Sequence, residues 1–228
     1  MHTRSDPYIK AEDLEEDCSV YGKVLTYCRT MNNSIGCRNL LRRIDDVQVT
    51  NMFKKRFVPR LALSSIISQS VLRPILAEFT PADILDETED FILQGARKVF
   101  CILAYIGYPG HIRKFIEKDG LLLRQVDEDL PLSRGRLRTV ADDNLFINSF
   151  YEKQWQFCAP VISQRIIPRT LEDETVLPFL TSERIDQGGF GVITKITIHP
   201  EHKSADILPV DNVRLAPLDQ VTYHQNSH

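Results

Sequence analysis

Three glycines within four positions, Gly188, Gly189 and Gly191, are the residues of this 228-residue chain best suited to chemistry. A backbone without Cβ takes positive φ and lets a ligand approach closely. Successive N–H groups in such a turn cradle phosphate oxygens. Phe190 sits within the cluster, Ile185 precedes it and Ile193 follows. The flanks read as extended: Val192, Ile193, Ile196 and Ile198 alternate with Thr194 and Thr197. β-branched residues on both sides of a glycine turn predict a β hairpin.

The stretch resembles the glycine-rich loop of a protein kinase, G-x-G-x-x-G-x-V, with Asp186, Gly188, Gly191 and Ile193 at its defined positions. Asp186 replaces the first glycine, which brings a carboxylate to a place built for phosphate. Two charges about 4 Å apart interact by about 1 kcal/mol in water and about 4 at an effective dielectric of 20. The run on to His199-Pro200-Glu201-His202, the segment Phe150 to Pro160 and Leu177-Pro178-Phe179 are similar to fungal protein kinases in which a helical N-terminal region leads into the kinase N-lobe. The resemblance spans roughly residues 80 to 202. It implies ATP-dependent Ser/Thr phosphorylation as the family activity. It also implies nucleotide contacts at Ile185, Gly188, Gly189, Phe190, Gly191 and Ile193.

The same family needs a strand-3 Lys, an H-R-D-x-x-x-x-N loop and a D-F-G motif. None occurs after the hairpin, where the last lysine is Lys203 in a polar His-Lys-Ser run. Asp90-Phe91-Ile92 lies upstream in a helical pattern. The expectation is a truncated, non-catalytic kinase-like chain that holds ATP weakly at most and lacks the Asp that would bind Mg²⁺. The alternative is a helical protein-interaction or regulatory module without nucleotide binding. Its motive is the apolar content of residues 61 to 116, with a protein partner docking on the helical region.

Composition narrows the classes. The chain is 43% hydrophobic and 26% charged, with net charge −3, which fits a folded globular protein. It lacks the basic excess of a nucleic-acid-binding domain. Its longest apolar run, about Val99 to Tyr108, is too short to span a bilayer. The N-terminus has no apolar signal core. Five cysteines without a C-x-x-C pair predict reduced thiols, in the cytoplasm or nucleus.

The predicted fold is mainly α with a small β element. A flexible acidic arm (1–20) precedes a helical domain (21–158), a partial kinase N-lobe hairpin (159–203) and a disordered tail (204–228). Asn32-Asn33-Ser34 with Gly36 predicts a turn. Residues 61 to 79 read as helix broken at Pro74. Thr80 reads as an N-cap with Pro81 at the first helical position. Glu89 to Ile106 reads as one central apolar helix. Residues 120 to 142 read as loop, His111 as a surface or capping residue, and Trp155 as a packing anchor.

Overall fold

The computed structural model describes residues 34–118, 126–163, 171–188 and 191–207. They form eight α-helices and two small antiparallel sheets. Helix α1 (Ile35–Val47) is followed by the short strands β1 (Val49–Thr50) and β2 (Arg56–Phe57). Then come α2 (Ala62–Ile66), α3 (Gln69–Leu76), α4 (Leu85–Gly95), α5 (Arg97–Tyr105) and α6 (Ile112–Lys118). Helices α7 (Arg134–Val140) and α8 (Asn144–Gln154) complete the helical body. Strands β3 (Phe179–Gly188) and β4 (Gly191–Ile198) form the hairpin, and a 3₁₀ turn (Pro200–His202) follows it. The arm 1–20, residues 208–228, Cys18, Cys28 and Gly120 lie outside the described residues.

Helix α1 shows how local sequence becomes packing. Ser34 accepts the amide proton of Cys37 at 3.2 Å, satisfying one of the free N–H groups at the helix start. Cys37, Leu40 and Ile44 recur at helical spacing and are buried together. Gly36 is therefore inside a helix and not in the predicted turn. Its missing Cβ has a use, because a Cβ there would lie 2.8 Å from Ile75 Cγ1. The glycine lets α1 and α3 approach closely.

Two predicted helices are each two. The 61–79 segment divides at Ile67, whose extended backbone (φ −97°, ψ 97°) buries its side chain, and not at Pro74, which sits within α3. The 89–106 segment divides at Ala96 (φ −130°, ψ 24°) into α4 and α5. There the Asp127 carboxylate accepts the amide protons of Lys98 at 2.9 Å and Val99 at 3.0 Å. Burial raises the Asp127 pKa from its ordinary value, and these backbone hydrogen bonds oppose that rise. Helix α5 is central: Val99 to Leu103 are completely buried.

Other local expectations change with tertiary context. Thr80 does not cap a helix through its side chain; its buried hydroxyl has no hydrogen-bond partner among the described residues. A 3₁₀ turn (Ala82–Ile84) intervenes before α4. The predicted 120–142 loop contains α7, where Ser133 Oγ accepts the Arg136 amide proton as an N-cap. Asp143 caps α8 in the same way through Leu145. Leu145, in the first turn of α8, points to solvent at 59% exposure. His111 is neither free surface nor cap: it stacks on Phe146 at 5.0 Å and meets Tyr108 edge-on at 5.0 Å.

Candidate functional site

The hairpin is built as its sequence predicts. Strands β3 and β4 pair antiparallel from Phe179↔Ile198 to Gly188↔Gly191, leaving Gly189 and Phe190 as the connection. Those two candidate contact residues lie outside the described residues. Gly188 and Gly191 face each other at the last register position. Ile185 lies in a register shift between Arg184 and Asp186, a β-bulge position, and is 58% exposed. Ile193 pairs with Asp186 and is 37% exposed. The structure thus brings Gly188, Gly191, Ile185 and Ile193 to one end of one hairpin.

Along β4 the side chains alternate between faces. Val192, Ile196 and Ile198 share one face, while Lys195 and Thr197 share the other opposite Glu183 and Thr181. The Thr181 and Thr197 hydroxyls bond across the strands at 2.9 Å. Val192 and Ile196 are exposed. Among the described residues, no strand pairs with the outer edge of either β3 or β4.

A two-stranded hairpin alone is marginal in water, and this one is held at its base. The Phe179 carbonyl accepts the Met52 amide proton at 2.8 Å, and the Leu177 carbonyl accepts Asn51 Nδ2–H at 2.8 Å. Phe57, Trp155 and Val176 form a second buried cluster, against which Leu180 packs. Trp155 is a packing anchor, as its sequence setting predicts, although its indole N–H has no acceptor among the described residues.

Beyond β4, the 3₁₀ turn closes a seam against the helical body. His202 is 2% exposed. Its Nε2 lies 3.1 Å from the Arg60 amide nitrogen and its Nδ1 lies 3.1 Å from the Pro160 carbonyl. The Glu201 carboxylate accepts the Leu61 amide proton at 2.7 Å. Ile162 donates its amide proton to the His202 carbonyl, and Ser204 returns one to Ile162. Both His202 and His199 meet the Phe57 ring edge-on. A cavity of about 220 Å³ opens at this seam, with Val58, Leu63 and Phe157 among its apolar walls and Arg60, Lys98 and His202 as its polar lining.

Among the described residues no group of three or more His, Cys, Asp or Glu side chains is placed to hold a metal ion. Cys37, Cys101 and Cys158 are free thiols. Burial pushes Cys158 up to about 12 and raises Cys37 and Cys101 as well. Thiols held protonated are poor nucleophiles. No described helix is long and apolar enough to cross a membrane.

Comparison with protein-family models, with curated proteins and with solved structures returns no match.

Proposed function

We propose that the chain is a non-catalytic binding module, in which the helical body holds out the β3–β4 hairpin to receive an extended segment of a partner protein. The single observation that carries this reading is the contrast along the hairpin. Its base is buried and hydrogen-bonded, while Ile185, Val192, Ile193 and Ile196 are exposed and the outer edges pair with no described strand. Strand addition uses such an edge: backbone hydrogen bonds give affinity and alternate side chains give selectivity.

The partner surface moves from the helical region to the hairpin for a physical reason. The apolar side chains of residues 61 to 116 that suggested a docking face are largely consumed by the core. Ile66, Ile67, Leu72, Ile75, Ile92, Phe100 and Phe115 are all at or below 5% exposure.

Panning a displayed peptide library against the full chain, and against Val192→Lys/Ile196→Lys, tests this reading. The expected result is enrichment of peptides with alternating apolar residues that bind the natural chain and lose at least tenfold on the variant. Equal binding to both chains, or no enrichment, overturns it.

The resemblance to protein kinases supplies a second reading of the same hairpin, as a weak ATP-phosphate cradle. Gly188 opposite Gly191 at the turn favours it. This reading concerns phosphate contacts at the hairpin end alone, where Gly188 pairs with Gly191.

A further inference from the structure

We infer that His202 is a proton-operated clasp, which holds the segment after the hairpin against the helical body while its imidazole is neutral and releases it when the ring is protonated. The hydrogen-bonding partners set the state of the ring. A carbonyl oxygen only accepts, so Nδ1, 3.1 Å from the Pro160 oxygen, carries the proton. A backbone amide only donates, so Nε2, 3.1 Å from the Arg60 nitrogen, is the bare acceptor. The neutral Nδ1–H tautomer alone satisfies both. A second proton on Nε2 would set two N–H donors against each other in a site where His202 is 2% exposed.

Three separate stretches meet at this ring. Arg60 belongs to the segment entering α2, Pro160 to the segment leaving α8, and His202 to the turn that follows β4. Losing the ring's acceptor therefore loosens a junction, and not merely one side chain. The adjoining bonds from Ile162 to the His202 carbonyl and from Ser204 to the Ile162 carbonyl lie in the same seam.

The charged surroundings favour the neutral ring on balance. Burial is the largest cause that lowers the His202 pKa from its ordinary 6.5, and His199 lowers it further. The Pro160 bond and the Glu201 carboxylate act in the other direction. Glu201 is already engaged by the Leu61 amide. From the facing elements, Arg60 and Lys98 line the adjoining cavity and are both cationic. Lys203, next in the chain, adds a third positive charge. Cys158, in the segment leaving α8, stays a neutral thiol because burial raises it to about 12.

The sign of the effect follows from linkage. A ring whose docked pKa is depressed binds its proton more readily when the seam is open. The clasp is at full strength above pH 6.5 and is lost as pH falls through the docked value. Opening takes up one proton over that interval, so the open fraction rises up to about tenfold per pH unit. This holds whatever the hairpin binds, so the clasp and the strand-addition reading fail independently.

Amide exchange resolved by NMR on the full chain, corrected for intrinsic rates, is the test. The Arg60, Ile162 and Ser204 amides should lose protection together below pH 6.5, by up to about tenfold per unit. In His202→Gln the step should vanish; in His199→Asn it should remain. Imidazole ¹⁵N shifts of the natural chain should report the Nδ1–H tautomer of His202 above pH 7, which keeps the test decisive if the variants fold poorly. An Nε2–H tautomer, pH-independent protection of the three amides, or a step that survives His202→Gln overturns the clasp.

Discussion

The Asp127 carboxylate accepts the Val99 amide proton at 3.0 Å across a sequence separation of 28 residues. Its other oxygen accepts the Lys98 amide proton. One side chain thus caps α5, the most buried helix, from a different part of the chain. Without it the helix start would leave two donors short of partners in a partly buried place. Asp127→Ala should lower unfolding free energy by about 1–2 kcal/mol, and Asp127→Asn, with one acceptor left, by less. Urea unfolding followed by helical circular dichroism checks the order of the two variants.

Gly36 against Ile75 predicts the reverse of a helix-propensity argument. In an exposed helix interior, Gly→Ala stabilises by about 1 kcal/mol. At position 36 the new Cβ would lie 2.8 Å from Ile75 Cγ1, and Ile75 is 1% exposed with no room to withdraw. Gly36→Ala should therefore destabilise by about 1–3 kcal/mol. Replacing Ile75 by Ala, which removes the obstructing atom, should make Gly36→Ala neutral or favourable in that background. A double-mutant cycle measures this as a coupling free energy.

His111 should make global stability fall in acid. Its pKa is lowered to about 4, first by burial and then by Lys114, while Asp143 opposes the shift. The group is protonated more readily in the unfolded chain, so its contribution is complete above pH 6.5 and declines as pH falls toward 4. The shift between 6.5 and about 4 sets a ceiling of roughly 3 kcal/mol, and solvent screening at this half-buried ring brings the loss below it. Urea midpoints across that range should drop in the natural chain. In His111→Phe, which keeps a ring on Phe146, that part of the slope should disappear.

The parts legible in the sequence are those decided by neighbours along the chain. The hairpin is one, since Gly188 and Gly191 lie between β-branched runs and need only each other to set a register. The break at Ala96 was not legible because the group that completes it, Asp127, is far away in sequence. Gly36 looked like a turn residue because the reason for a glycine there is Ile75 on another helix. His202 gave no signal either: a polar His-Pro-Glu-His-Lys run shows no burial until Arg60 and Pro160 are brought to its ring. Among the candidate contacts, Ile185, Gly188, Gly191 and Ile193 converge on the hairpin end, whereas Gly189 and Phe190 lie outside the described residues.

The central claim is that the hairpin is a protein-binding element and not a working nucleotide site. Thermal unfolding of the full chain with ATP at about 5 mM, with and without Mg²⁺, tests it directly. A dissociation constant near 10 mM or weaker gives about 0.2 kcal/mol, or under about 1 °C, and that is the predicted result. A rise of about 5–10 °C, as expected when ATP stands about a hundredfold above its dissociation constant, would contradict the account if Gly188→Asp abolished it.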